Sequence, residues 1–284
     1  MKKKYWLITT ENLKDRLWFK DEEDYKAGMN IVALLSVTMP VVVVAFILMS
    51  NHVHFILLCT EEEALAFINK FKERYSKYFR LKYSYAKSLR RNGVDIQEVS
   101  PRDESFERAL AYVQMNCVAA NICLYPGDYP WGTGGAFFNP YPSRGIPLEQ
   151  MSGRALARMV HSRQRFPSGY VADERGFIDP RSYVPVKMVE SIFRTPKRMN
   201  FFLMNSSKAK RRKELPSFSD QMVINAIREL AISMFHTNSP SELNDGQKSE
   251  LLRQVRYRLS SDPAQLARAA GLSYEEVVRF LEMI

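Results

Sequence analysis

Residues 27–59 contain no Asp, Glu, Lys or Arg, and so long an uncharged run has to be buried, either in a bilayer or in a protein core. The part from 31 to 49 is long enough to suggest a membrane span. Pro40 splits it, however, and Val41-Val42-Val43-Val44 is a β-branched run that favours strand over helix. The reading is a helix from 21 to about 36, opened by Asp21, Glu22 and Glu23 where the dipole favours acids, then two buried strands over about 41–48 and 52–59. No leader pattern opens the chain: Met1-Lys2-Lys3-Lys4 runs into a short strand at 5–10 and then into charged residues.

The second buried strand carries the chemistry. In Asn51-His52-Val53-His54-Phe55 strand alternation turns both imidazoles to one face and Val53 to the other. The pair uses half of the chain's four histidines, at a place where an apolar core gains nothing from them. A bidentate metal grip is the better account. Tyr112 and Asn116 stand four apart on an expected helix over 104–124, so they share one face. A tyrosine on an amphipathic helix is ordinarily core and a lone asparagine ordinarily surface. Their pairing with the two histidines is what makes them a candidate nucleophile and third ligand.

These stretches resemble the HUH single-tyrosine transposases, and within them the REP-associated tyrosine transposases. The matching segments are Met49-Ser50-Asn51-His52-Val53-His54, Tyr112-Val113-Gln114-Met115-Asn116-Cys117-Val118-Ala119-Ala120 and Asp128-Tyr129-Pro130-Trp131. The resemblance runs from Tyr5 to about Trp131. Three positions depart from it: Ser50 stands where proline is usual, Cys117 where proline follows the asparagine, and Ala119 where arginine is usual. None is a ligand or the nucleophile, although the absent arginine removes one DNA contact. The stretch before the tyrosine helix is also shorter than the family's usual strand. The resemblance implies an α+β, ferredoxin-like HUH domain over 1–138, with a central antiparallel sheet and helices on one face. It implies Tyr112 as nucleophile, His52, His54 and Asn116 as metal ligands, and single-stranded or hairpin DNA as partner; the sequence leaves monomer and homodimer both open. Two neutral imidazoles and an amide oxygen suit Mn²⁺ by ligand softness and Mg²⁺ by abundance, with zinc a third candidate. Tyr129 and Trp131 are expected to form an aromatic clasp.

Residues 61–82 read as a second helix whose later part is basic. Between 70 and 91 there are nine Lys or Arg and one acid, Glu73, interleaved with Phe71, Tyr75, Tyr78, Phe79, Tyr83 and Tyr85. Lys70, Lys72, Arg74, Lys77, Arg80 and Lys82 are candidate phosphate contacts, and the aromatics are either base-stacking platforms or core. With 41 Lys and Arg against 31 acids the chain is net +10, which favours a polyanionic partner. Three cysteines without a Cys-x-x-Cys pair fit a reduced cytoplasm.

Residues 139–213 read as an extended basic linker with one small helix near 185–193. Its run 194–213 has eight basic residues and no acid, and is either a solvated tether or a clamp on a DNA backbone. Residues 214–284 read as an all-α bundle with helices at about 220–235, 245–259, 263–270 and 273–283. The last two, joined across Gly271-Leu272, are a candidate helix-turn-helix. Seven basic against ten acidic residues in this segment favour a packing or protein-binding bundle instead. Because every candidate catalytic residue precedes position 120, cleavage is expected not to need the bundle.

Two functions follow. One is a transposase that nicks and joins single-stranded DNA through a 5′-phosphotyrosine with metal-assisted cleavage, acting on hairpin-forming repeats. The other is a DNA-binding regulator on the same scaffold that has lost cleavage through the changes at Ser50, Cys117 and Ala119. The intact ligands and tyrosine favour the first, and the Asn116 spacing with the Tyr-Pro-Trp tail sets it apart from plasmid relaxases and replication initiators, which use a related metal site.

Overall fold

The computed structural model describes residues 2–11, 13, 17–84, 93–141, 145–209 and 218–283. The uncharged run folds as the sequence indicates. Helix α1 (Glu22–Thr38) starts on an Asp21 N-cap that accepts from the Asp24 N–H, and strands β2 (Val42–Met49) and β3 (His52–Cys59) follow. With β1 (Lys4–Thr10) and β4 (Val94–Val99) they form an antiparallel sheet in the order β2-β3-β1-β4. Strand β4 occupies the stretch before the tyrosine helix, which the residue pattern alone does not mark as a strand. It is a half-exposed edge strand, Val94-Asp95-Ile96-Gln97-Glu98-Val99, whose acids and amide mask the alternation.

Helix α2 (Glu61–Tyr83) begins with a capping box between Thr60 and Glu63. It packs Phe67 and Phe71 against Phe55 of β3. Helix α1 lies on the same face, where Gly28 has no room for a β-carbon between Phe19 and Leu48. Helix α3 (Ser105–Gln114) covers the opposite face, with Phe106 edge-on to Tyr5 and Tyr112 edge-on to His54. The helices therefore sandwich the sheet instead of gathering on one side. The reason is that β2 and β3 are apolar on both faces.

The expected helix over 104–124 is broken. It stops at Gln114, turns at Met115 and resumes as α4 (Asn116–Ala119). The Asn116 amide donates to the carbonyls of Tyr112 and Val113, at 2.8 and 3.2 Å, taking acceptors that a continuous helix would use. Further on, Tyr129 and Trp131 close the outer edge of β2. The Tyr129 hydroxyl donates to the Leu48 carbonyl (2.7 Å), Leu48 N–H donates to the Trp131 carbonyl (2.8 Å), and Trp131 stacks on Tyr25.

The segment expected to run as an extended linker is folded wherever it is described. Helix α5 (Gly153–Val160) and a two-stranded ribbon, β5 (Gly145–Pro147) with β6 (Val171–Asp173), precede α6 (Val186–Phe193) and α7 (Pro196–Met204). Phe177, Val189, Phe193, Met199, Phe202 and Leu203 belong to the same core as the sheet. Buried Asn30 of α1 ties the segment down: its amide donates to the carbonyls of Met159 and Gly176 and accepts from Ile178 N–H. Most of the described part of the basic run is therefore helix α7 and not a tether, and 210–213 lie outside the described residues.

Helices α8 (Asp220–Phe235), α9 (Asp245–Leu259), α10 (Pro263–Ala270) and α11 (Tyr274–Glu282) form a bundle around a separate core of Val223, Ile227, Leu252, Val255, Leu266 and Phe280. Gly271 ends α10 at φ +71°, a left-handed turn that glycine makes without strain. Among the described residues no helix is long and apolar enough to cross a membrane.

Candidate active site

The register of β1 on β3 sets Thr9 opposite His54, and side chains directly opposite share a face. The Thr9 hydroxyl lies 2.9 Å from His54 Nδ1. His52 Nδ1 lies 2.9 Å from Asn51 Oδ1. Asn51 Nδ2 donates to the Leu13 carbonyl at 3.0 Å, so the amide is oriented and its oxygen is the atom that meets the ring. An acceptor at this position favours the His52 proton on Nδ1, the tautomer that keeps a lone pair on Nε2. His54 Nε2 is buried and has no hydrogen-bond partner among the described residues. The two rings stand perpendicular with centroids 4.8 Å apart.

Tyr112 presents its ring edge-on to His54 at 5.3 Å between centroids. The Asn116 nitrogen is committed to the backbone of α3, which leaves Oδ1 as the side chain's available acceptor beside the imidazoles. The break at Met115 thus serves the site, because the bonds that interrupt the helix also aim the amide. Burial, followed by the positive charge of Lys208, depresses His52 to about 4. His54 is depressed well below the ordinary histidine value by burial, by His52 and by Lys208. Asn116 opposes both depressions. Both rings are neutral at neutral pH, the form in which imidazole ligates metal.

Residue by residue, the structure brings His52, His54, Tyr112 and Asn116 together. The basic helix it places elsewhere. Helix α2 packs on the Phe55 face of the sheet, away from the histidines. Lys72 is buried in the core, with its ammonium pulled below the ordinary lysine value by desolvation, and it cannot track a phosphate from there. Lys82 is held by Asp21 and Asp24 at 2.6 and 2.9 Å, and Lys70 pairs with Glu73 at 3.1 Å. Arg74 is half-buried, with no hydrogen-bond partner for its Nε among the described residues, while Lys77 and Arg80 are exposed. Phe71, Tyr75 and Phe79 are core, and Tyr78 and Tyr83 hydrogen-bond to Asp24, so none is a free stacking platform. Residues 85–91 lie outside the described residues.

Sequence reasoning missed two groups at the site. Lys208, in the turn after α7, sits with Nζ 4.7 Å from the centre of the Tyr112 ring. Helix α7 reaches that position because Arg198 pairs with Glu107 of α3 at 3.0 Å. Thr9 was missed because it acts through cross-strand register. The basic run signalled Lys208 without saying which of its residues would turn inward.

No family model matches the chain, and no curated protein matches it. Among solved structures it is similar to a REP-associated tyrosine transposase bound to a REP hairpin, at 13% identity and a TM-score of 0.39, over 59% of this chain and 88% of that one.

Proposed function

We propose that the chain is a nicking and joining enzyme for single-stranded DNA, a transposase of the HUH single-tyrosine kind built on a ferredoxin-like β-α-β-β-α-β unit. The observation that carries the reading is the convergence of Tyr112, Asn116 and two neutral imidazoles on one face of the sheet. The donor set fits a divalent cation: His54 Nε2 is buried with no partner among the described residues, His52 Nε2 is left basic by Asn51, and the Asn116 side chain hydrogen-bonds toward both rings. Among the described residues no cluster of three His, Cys, Asp or Glu competes with it. When bound, Mg²⁺ or Mn²⁺ supplies charge neutralisation and polarisation at the scissile phosphate.

The protein's own groups do the rest. Tyr112 Oη attacks phosphorus, the P–O3′ bond breaks, a 5′-phosphotyrosine forms, and the 3′ oxygen leaves as a hydroxyl while the phenol's proton is lost. The covalent link keeps the phosphodiester energy for rejoining. Lys208, lying over the Tyr112 ring, meets a non-bridging oxygen of the incoming phosphate and neutralises charge that builds there. Thr9 and Asn51 hold the two imidazoles in orientation. Hairpin-forming repeats are the proposed substrate class.

The test is incubation with labelled single-stranded hairpin DNA and Mn²⁺. A protein–DNA adduct that survives denaturant and is absent in Tyr112→Phe supports the reading. An undiminished adduct in that variant moves the nucleophile to Tyr125 or Tyr129. No adduct with any single strand leaves the DNA-binding regulator.

A further inference from the structure

The two-residue turn Ser50-Asn51 joins β2 to β3 immediately before His52. It is held from three directions. The Ser50 carbonyl accepts from Trp18 and Phe19 N–H, at 2.7 and 3.1 Å, and Asn51 exchanges two bonds with Leu13, at 3.1 and 3.0 Å. The third hold comes from the far end of the chain. The Ser50 hydroxyl donates to Asp220 Oδ2 at 2.5 Å, the length of a charge-assisted bond. Asp220 opens α8 and its side chain is only 5% exposed. Its carboxylate is fully engaged, accepting also from Arg268 Nε and Nη2 at 3.3 and 3.2 Å and from Gln265 Nε2 at 3.1 Å.

We propose that Asp220, delivered by the C-terminal bundle, is a positioning residue for the metal site, fixing the Ser50-Asn51 turn so that Asn51 Oδ1 holds the His52 ring in its Nδ1–H tautomer. The chain of contacts is continuous from Arg268 through Asp220 and Ser50 to Asn51 and His52. It gives a physical role to a departure from the transposase pattern. A proline at position 50 has no hydroxyl and could not take the Asp220 bond. Asp220 and Arg268 are also close enough to act electrostatically on His52. The bundle is therefore not a remote appendage, and its docking state sets the geometry of a ligand. Asn51 is the outer contact of the ligand itself, the kind whose loss weakens metal binding about 10- to 100-fold, and Asp220 acts on it through the Ser50 hydroxyl.

The inference rests on the metal-site reading above, so the test has one arm that needs no metal. In the full-length, metal-free protein, the ¹⁵N spectrum of the His52 imidazole reports its tautomer directly. Wild type and Ser50→Thr, which keeps the hydroxyl, should show one Nδ1–H form. Ser50→Ala and Asp220→Asn should show a mixture of tautomers while unfolding as cooperatively as wild type. In the second arm, Mn²⁺ affinity should fall about tenfold or more in Ser50→Ala and Asp220→Asn and be restored in Ser50→Thr. A single tautomer in both Ser50→Ala and Asp220→Asn overturns the positioning role. Wild-type protein that binds no Mn²⁺ overturns the metal site instead, and the tautomer comparison still decides the role of Asp220. If Ser50→Ala does not fold, Asp220→Asn against Ser50→Thr decides it.

Discussion

Neutral, buried histidines make opposite pH predictions for metal binding and for stability. An exposed imidazole of ordinary value, about 6.5, is roughly nine-tenths protonated at pH 5.5 and loses about tenfold in metal affinity there. His52, held at about 4 by burial and Lys208, stays neutral at that pH, and His54 is depressed as well. Mn²⁺ affinity is therefore expected to change less than about twofold between pH 7.5 and 5.5, whereas two ordinary histidines would lose about a hundredfold. Stability of the metal-free protein runs the other way. Below about 6.5 the unfolded chain takes up a proton at residue 52 that the folded chain refuses until about 4, so stability falls with pH across that window. At about 1.4 kcal/mol per pH unit over about 2.5 units, His52 accounts for at most about 3.5 kcal/mol, an upper bound because the ring is partly exposed. The assays are calorimetric Mn²⁺ titration at the two pH values and urea unfolding of metal-free wild type against His52→Asn from pH 7 to 4.5. A His52 resonance titrating near 6.5, or a stability gap between the two proteins that does not narrow as pH falls, would refute the burial argument.

Tyr112→Phe should retain Mn²⁺ and single-strand binding yet give no covalent adduct on denaturing gels, and retained cleavage would remove Tyr112 from the chemistry. Lys208→Ala should slow adduct formation by about tenfold or more at saturating Mn²⁺, since it removes a preorganised charge over the phenol; an unchanged single-turnover rate would argue against that role. Tyr129→Phe strips a buried bond from the Leu48 carbonyl and should cost about 1–2 kcal/mol in urea unfolding, with no measurable loss counting against the clasp at the β2 edge. Lys77→Glu with Arg80→Glu tests whether the exposed side of α2 binds DNA at all: a phosphate track predicts a salt dependence flatter by about 0.7 per contact in log–log slope, and an unchanged slope leaves α2 a purely structural helix.

The local periodicities were legible in the chain itself. The uncharged run could only become α1, β2 and β3 once Pro40 and the valine run excluded a span, and the C-terminal helices were marked by caps such as Ser273 with Glu276 and by the glycine stop at 271. The His-x-His spacing and the Tyr112–Asn116 spacing also placed each pair on a single face, because both rest on short-range geometry. Tertiary structure decided everything that depends on register and packing across the sheet. It put Thr9 beside His54, turned Lys208 over Tyr112, buried Lys72 and locked Lys82 onto Asp21 and Asp24. It also broke the tyrosine helix at Met115, folded the expected linker into the core and carried Asp220 across the chain to Ser50. Periodicity tells a side chain which face of its own element to take, but which other element meets that face is fixed only when the apolar surfaces of all of them are buried together.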